Sequence, residues 1–234
     1  MVVHFQNFPK SSAVATDHRA VPADSDTSRG PLAGLYRQFF KRFIDISFVI
    51  LSLPVSLPLV AIMALLVALD GTSPFYTQAR VGRGGRIFRM LKIRSMVPDA
   101  DNQLAAYLEK NPLARQEWDE TQKLKSDPRI TRIGRILRKS SLDELPQLWN
   151  VLKGDMSIVG PRPMMVEQQE LYPGRAYYAL RPGITGPWQV SDRNEGSFAG
   201  RAVFDAKYHA DLSIATDLSI LLRTVAVVVR STGY

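Results

Sequence analysis

The sequence predicts a mainly helical α+β fold in a monotopic membrane protein, with an N-terminal re-entrant helix-break-helix and a cytoplasmic domain that carries surface-lying amphipathic helices. Three observations predict this architecture. An uncharged run of 24 residues extends from Ile46 to Leu69, basic residues flank it on both sides, and the remaining chain mixes short extended patterns with helical periods. We expect residues 1–35 to be a disordered arm, 36–70 the re-entrant membrane helix and 71–234 the cytoplasmic domain.

The composition excludes several functional classes. The 234 residues allow one ordinary domain plus a terminal arm. Zero cysteines exclude a disulfide scaffold, a thiolate nucleophile and a cysteine zinc site, and the three histidines, His4, His18 and His209, lack metal-ligand spacing. The net charge of +8 lies in residues 36–234. It implies a polyanionic partner, which is nucleic acid, a phosphorylated small molecule or an anionic membrane surface.

The uncharged run is long enough to cross a bilayer once, but its flanks argue against a crossing. Both flanks are basic, and the positive-inside tendency places basic flanks in the cytoplasm. Pro54 and Pro58 each remove a helix hydrogen bond at a cost of roughly 3 kcal/mol. The arms on either side of Pro58 would be about 22 and 16 Å long, too short to span. The pattern therefore favours a re-entrant hairpin broken at Pro58, and a kinked transmembrane helix is the alternative.

Beyond Asp70 the pattern is that of a soluble domain. Extended segments are predicted at 75–78 and 86–96, and structured loops rich in glycine and proline at 159–194. Helices are predicted at 102–110, 112–124, 130–139 and 143–152. The last apolar segment, 212–229, contains Asp217 and Arg223, and its period fits a helix that lies on a surface.

Three phosphate-binding signatures carry little weight. The sequence has no P-loop motif, and Gly82–Gly85 lacks the third glycine of a dinucleotide fingerprint. Asp99 and Asp101 match the D-x-D that many nucleotide-sugar transferases use for a metal. Because the pair directly precedes a predicted helix, where acids are favoured by capping and by the helix dipole, we favour the structural role.

The adjacent acids Asp143 and Glu144 are stronger candidates for chemistry. Neighbours on a helix point about 100° apart, so one carboxylate could attack while the other holds a cation. The alternative is helix capping, because Ser141 and Glu144 have capping-box spacing. Taking Asp143 as the N-cap instead moves Pro146 into the first turn, where no donor is lost. Spacing alone leaves capping and catalysis equally open.

A basic setting favours catalysis. Lys92 and Arg94 would share one face of an extended segment, and Pro163 biases Arg162 toward a geometry suited to bidentate phosphate contact. Five further cations lie just upstream of the acids: Arg129, Arg132, Arg135, Arg138 and Lys139. A solvated face explains any single arginine. Several cations that converge on two carboxylates beside a membrane anchor suggest a phosphorylated, lipid-linked substrate.

At these residues the chain resembles the bacterial monotopic phosphoglycosyl transferases, which initiate glycan assembly on polyprenyl phosphate. The resemblance covers roughly residues 38–234 in the family's order, and the pairing of SLDELPQLWNVLKGDMS with GPRP is highly specific. The other matching stretches are KRFIDISFVILSLPVSLPL, FYTQARVGRGGRIFRMLKIRSM, RPGITGPWQVSDRN and FDAKYHADLS.

The resemblance implies a mechanism and roles for named residues. Asp143 would attack the sugar-bearing phosphate of a UDP-hexose and release UMP, and the aspartyl phospho-sugar would then pass to undecaprenyl phosphate. Glu144 would hold Mg²⁺, and Pro58 matches the proline of the family's membrane helix break. The implied substrate- and phosphate-binding residues are Lys92, Arg94, Arg138, Arg162 and Asp205. The implied location is the cytoplasmic face of the bacterial inner membrane, with exopolysaccharide repeat-unit synthesis as the role.

Some features leave alternatives open. Asp192 and Pro187 depart from the family pattern, so the sugar stays open: galactose is the first expectation, then glucose, then an N-acetylated sugar. Trp188 and Gln189 are candidates for lining the nucleotide-sugar site, and loop packing explains them equally well. A non-catalytic membrane scaffold is the alternative function. Nucleic-acid binding is disfavoured because the basic residues lack interleaved aromatics. The sequence does not indicate the oligomeric state.

Overall fold

The computed structural model describes residues 34–121, 124, 126–191 and 198–229. Nearly all of the arm predicted at 1–35 lies outside the described residues, so that expectation stays a prediction. The described part is mainly helical with short strands, which confirms the coarse fold class.

A long apolar helix opens the described chain. A π-helical turn, Tyr36–Phe40, leads into α1, Lys41–Ala68, about 42 Å long at 1.5 Å per residue. Among the described residues it is the one helix long and apolar enough to cross a membrane. The helix runs without interruption through Pro54 and Pro58, and the re-entrant course predicted from Pro58 stays a prediction.

Both ends of α1 contact the same domain. Near its start, the Arg42 guanidinium donates to the Val151 carbonyl at 2.6 Å, and Val49 packs in the same hydrophobic cluster as Val151. Near its end, Val67 packs with Ile93. The middle of the helix presents exposed apolar side chains, namely Ile50, Leu51, Val55, Leu57, Ile62 and Leu65. The helix is therefore held at its two ends and leaves an apolar surface between them.

An antiparallel hairpin follows α1. Strands β1 (Phe75–Val81) and β2 (Ile87–Ile93) pair so that Phe75 lies opposite Ile93 and Val81 opposite Ile87. The turn uses Gly84 and Gly85, whose φ angles of +68° and +78° suit residues without a Cβ atom. The predicted extended segments are thus confirmed, with the second ending earlier, at Ile93.

The later part of the chain contains a second, smaller sheet. Strands β3 (Ser157–Val159) and β4 (Gly183–Thr185) pair in parallel; β4 lies inside the region 159–194 that the sequence assigned to loops, and β3 ends where that region begins. The strands come close because Gly160 has no side chain: a Cβ there would lie 2.3 Å from the Arg181 carbonyl oxygen.

The helices after the hairpin are α2 (Ala100–Lys110), α3 (Pro112–Thr121), α4 (Arg132–Ser140), α5 (Gln147–Lys153), α6 (Ala176–Ala179), α7 (Arg201–Ala210) and α8 (Ile214–Val229). Of these, α2, α3, α4 and α8 occur largely where the periods predict them. The helix predicted from 143 begins only at Gln147, after a 3₁₀ turn at Leu142–Glu144, whereas α6 lies in the region assigned to loops and α7 was not predicted. α8 exposes Ile214, Leu218, Leu222 and Val225, as expected of a surface-lying amphipathic helix.

Three hydrophobic clusters form the core. The largest contains Val49 of α1, and the smallest contains Val67 of α1. The third, here called the aromatic cluster, contains no residue of α1. Its members are Val81, Met164, Tyr172 and Tyr177, with Tyr178, Phe198 and Ala202 packed against them.

Candidate active site

The two adjacent acids lie in the tight turn between α4 and α5. Ser141 ends α4 in a left-handed conformation with φ of +57°, and the 3₁₀ turn that follows carries Asp143 and Glu144. The Asp143 side chain is buried, whereas the Glu144 side chain is 26% exposed.

The structure does not support the capping alternative. The residues that precede the 3₁₀ turn and α5 are Ser141 and Pro146, and neither helix has a side-chain capping hydrogen bond. Asp143 therefore does not act as the N-cap that its spacing allowed. Burial of a carboxylate without a capping role favours a functional explanation.

Two cations from different elements face the acids. The Lys92 ammonium, near the end of β2, lies 2.8 Å from Glu144 Oε1 and 4.0 Å from Asp143 Oδ2. Arg138, near the end of α4, is held by a hydrogen bond from its Nε to Ser95 Oγ at 2.8 Å, and its charge interacts with Asp143. The hairpin and α4 thus bring together cations that the sequence could only predict separately.

The electrostatics of Asp143 reflect this setting. Burial raises its pKa from 3.8 to about 6, the positive charges of Lys92 and Arg138 act in the opposite direction, and the Glu144 carboxylate raises it further. At pH 7 the ionised, nucleophilic form still predominates. A carboxylate that is poorly solvated yet ionised is suited to attack an electrophilic phosphorus.

Two arginines lie beside Trp188 and a third, Arg80, is close enough to repel them, and sequence reasoning assigned a binding role to only one of the three. The Arg201 guanidinium lies 4.2 Å from the Trp188 ring centre and 4.8 Å from that of Phe198, and Arg162 lies 5.8 Å from Trp188. Burial, and then repulsion from Arg162, lower the pKa values of Arg80 and Arg201 to about 10 each. Attraction between Arg80 and Glu144 links this group to the acid pair.

Asp205 lies beside the same arginines. It is buried on α7, accepts a hydrogen bond from the Tyr172 hydroxyl at 2.6 Å and is attracted by Arg201, one helical turn earlier. Burial raises its pKa to about 6, while the Tyr172 hydrogen bond and Arg201 act to lower it. Asp205 is therefore attracted electrostatically to the arginine group, and its hydrogen-bond partner is the Tyr172 hydroxyl.

Arg94 occupies a different position from the one predicted. β2 ends at Ile93, and the Arg94 guanidinium donates to Asp70 at 2.7 Å and to the Val67 carbonyl at 3.4 Å, at the end of α1. Further donors of Arg94 bind the carbonyls of Ser73 and Met96. This arrangement makes Arg94 a tie to the membrane helix and does not favour the phosphate role that we assigned to it.

Three further residues singled out by the sequence are not placed at the acid pair by the structure. Arg129 forms a salt bridge with Asp127 at 2.7 Å and lies over the Trp118 ring; its charge repels that of Arg138 but is not among those that act on Asp143. Asp99 immediately precedes α2 and accepts a hydrogen bond from the Asn102 side chain at 2.6 Å, but its side chain makes no capping hydrogen bond to the backbone. Asp192 lies outside the described residues.

The donor set at the acid pair fits magnesium. Among the described residues no group of three histidine, aspartate or glutamate side chains is arranged to hold a metal. Mg²⁺, however, is commonly bound through one or two carboxylates together with substrate phosphates. Glu144, the more exposed of the two acids, offers hard oxygen donors at the right place for such a site.

Comparison with known proteins gives consistent matches. A sequence model of the family described as bacterial sugar transferase matches residues 36–231. The UDP-galactose-lipid carrier transferase of Erwinia amylovora is 47% identical over 198 residues, which cover 84% of this chain and 42% of that protein. The exopolysaccharide production protein ExoY of Sinorhizobium fredii is 42% identical over 222 residues, which cover 94% of this chain and 96% of that protein.

A third relative agrees. The undecaprenyl-phosphate galactose phosphotransferase of Salmonella typhimurium is 45% identical over 204 residues, which cover 86% of this chain and 43% of that protein. The chain thus spans less than half the length of the Erwinia and Salmonella relatives and nearly all of the Sinorhizobium one.

Proposed function

Because the chain belongs to the bacterial sugar transferase family, we propose that it transfers a hexose 1-phosphate from a UDP-hexose to undecaprenyl phosphate and so starts an exopolysaccharide repeat unit. The names of the Erwinia and Salmonella relatives support galactose as the hexose. The observation that carries the proposal is the buried Asp143 carboxylate, which faces Lys92 and Arg138.

The proposed reaction has two displacements at one phosphorus. In the first, an Asp143 oxygen attacks the sugar-bearing phosphorus, the bond to the bridging diphosphate oxygen breaks, and UMP leaves with that oxygen. In the second, a phosphate oxygen of undecaprenyl phosphate attacks the same phosphorus and the bond to Asp143 breaks. The carboxylate is regenerated, and the product is an undecaprenyl-diphosphate sugar. Dividing the transfer in this way lets two bulky anions use one site in turn.

The neighbouring charges serve both displacements. Lys92 and Arg138 offset the negative charge that develops on the transferring phosphoryl group. Glu144 would hold Mg²⁺, which when bound neutralises diphosphate charge and assists the leaving group. The 2.8 Å contact between Lys92 and Glu144 keeps the lysine beside the acids in the ligand-free protein.

The lipid substrate requires a membrane setting, and we assign α1 a re-entrant course with both ends on the cytoplasmic face of the inner membrane. The support is that Arg42 and Val67, at opposite ends of α1, contact the same domain, while exposed apolar side chains lie between them. Since the native chain has no cysteine, single cysteines at Gln38 and Leu113 provide a clean test. Both should react with a membrane-impermeant reagent from the cytoplasmic side only. Labelling from opposite sides would contradict the re-entrant course.

The activity is tested by UMP release from the full chain in detergent with Mg²⁺, undecaprenyl phosphate and a panel of UDP-hexoses. Wild-type protein should release UMP, with UDP-galactose preferred, and Asp143→Asn should abolish the release. Asp119→Asn, at an exposed site on α3, is the matched control and should behave as wild type. Radiolabel from the sugar phosphate should be trapped on Asp143. Wild-type release by Asp143→Asn would refute the nucleophile assignment, and unimpaired lipid-linked sugar synthesis in cells that carry only this variant would favour a non-catalytic scaffold.

A further inference from the structure

Arg80, Arg162 and Arg201 come from distant parts of the chain and meet at the aromatic cluster. Arg80 precedes Val81, Arg162 lies two residues before Met164, and Arg201 precedes Ala202, and these three neighbours all belong to that cluster. The Trp188 ring is buried, and two of the guanidinium groups lie near its centre, Arg201 at 4.2 Å and Arg162 at 5.8 Å. Aromatic faces of this kind hold a guanidinium in a fixed orientation.

Two carboxylates attract this group of three arginines, and the terminal nitrogens of Arg80 donate to the Pro163 carbonyl and to Gln78 Oε1. Each of Arg80 and Arg201 is repelled by Arg162, and the acids that attract them are Glu144 for Arg80 and Asp205 for Arg201. Asp205 already accepts the Tyr172 hydroxyl, and Glu144 already binds Lys92. The buried Nε donors of both Arg80 and Arg201 lack a hydrogen-bond partner among the described residues. Such an arrangement is costly without an anion and favourable with one.

The position of the arginines relative to α1 bears on which phosphate they bind, that of the nucleotide or that of the lipid. Lys92 and Arg138 lie next to Ile93 and Leu137, which pack against Val67 of the membrane helix. The aromatic cluster, by contrast, contains no residue of α1. Lys92 and Arg138 thus adjoin a cluster that includes the membrane helix, whereas the three arginines adjoin a cluster that does not.

We propose that Arg80, Arg162 and Arg201 bind the nucleotide phosphate of the donor, the group that departs as UMP, while Lys92 and Arg138 serve the transferring phosphate. This inference rests on the proposed function and extends it by assigning Arg80 and Arg201, which the sequence analysis did not identify as binding residues. Arg80 is close enough to Glu144 for the two charges to attract, so the arginine group lies within electrostatic range of the carboxylates. Arg201 acts as a binding residue whose orientation is set by Trp188 and Phe198.

The test measures UMP binding by calorimetry on the full chain in detergent, without turnover. Arg80→Gln and Arg201→Gln should each raise the dissociation constant of UMP about tenfold to a hundredfold, the usual effect of losing a charge-assisted hydrogen bond. The dissociation constant of UMP for Arg201→Lys should lie between those of wild type and Arg201→Gln, because an ammonium keeps the charge but loses the planar guanidinium fork. Arg115→Gln, at an exposed site on α3, is the matched control. Thermal unfolding without ligand checks that each variant folds, and Arg201→Lys carries the test should Arg201→Gln fail to do so.

Steady-state kinetics then separate the two phosphate sources. The arginine variants should raise the KM for UDP-hexose at least tenfold and leave the KM for undecaprenyl phosphate within twofold. Unchanged UMP affinity, or a rise confined to the KM for the lipid, would overturn the inference while wild-type UMP release still supported the proposed function. If the wild-type protein shows no turnover but binds UMP, and the arginine variants lose that binding, the nucleotide site is supported and the proposed transferase activity is refuted.

Discussion

Asp205→Asn should stabilise the ligand-free protein at neutral pH. The carboxyl is 3% exposed, and burial raises its pKa from 3.8 to about 6. The groups that face it are the hydroxyl of Tyr172, the ring of Tyr177 and the guanidinium of Arg201. An asparagine can still accept from Tyr172, but it avoids the cost of burying a charge.

The size and pH range of the effect follow from linkage. A folded-state pKa above the unfolded value means that the folded protein binds the proton more tightly, so the contribution of Asp205 is present below pH 4 and is lost as the pH rises through about 6. The full loss is about 3 kcal/mol. For a chain of this size it corresponds to about 6–12 °C in melting temperature. Asp205→Asn should therefore match wild type near pH 4 and exceed it by up to this amount at pH 8.

The assay is thermal unfolding in detergent across pH 4 to 8. Asp211→Asn is the matched control, since Asp211 is an exposed carboxylate at the end of the same helix. The control should track wild type at every pH. A gain for Asp205→Asn that does not depend on pH, or a loss of stability at pH 8, would refute the view that the buried charge of Asp205 is destabilising in the ligand-free protein.

Two further predictions concern the scaffold, and melting temperature measures both. Gly134→Ala should lower the melting temperature strongly, because its Cβ would lie 1.9 Å from the Ser95 carbonyl oxygen. Gly34→Ala is the control and should leave the melting temperature unchanged, since a Cβ there meets nothing within 4 Å. Equal melting temperatures of the two variants would contradict the close approach at Gly134. Asp217→Leu should cost about 3–5 kcal/mol or more, because it leaves the Lys41 ammonium, 2.6 Å from the carboxylate, and the buried hydroxyls of Tyr36 and Tyr208 without their shared partner. Adding Lys41→Met should restore the part of that loss that comes from the unpaired ammonium. A double variant no more stable than the single one would contradict that explanation.

Much of the fold was readable from the sequence because it depends on local patterns. The uncharged run predicts α1, and period 3.6 predicts α2 to α4 to within a few residues. The prediction that a helix begins at Asp143 was wrong for a specific reason. Ser141 adopts a left-handed conformation that serine rarely takes, and no sequence pattern indicates it. That turn moves the start of α5 to Gln147 and removes Asp143 from a capping position.

The site was only partly predictable because it is assembled across the chain. The pairing of Asp143 with Lys92 followed from the basic setting and the family resemblance. The arginine group did not, since no local pattern relates Arg80 to Arg201. One signal was available, namely the spacing of four residues between Arg201 and Asp205, which places an arginine one helical turn from an acid. The structure shows that this pair faces the aromatic cluster.

The membrane helix is bound at each end to a segment that leads directly into the site. At one end, Asp45 accepts from the Ile158 amide at 2.9 Å, in the strand that runs toward Arg162. At the other, the tie of Arg94 to Asp70 lies two residues beyond Lys92. The segments that carry Arg162 and Lys92 are therefore both tied to α1. In the re-entrant course proposed for α1, the depth of this helix in the bilayer also sets the height of Asp143 relative to the phosphate of the proposed lipid substrate, which a domain joined by a flexible linker would not achieve.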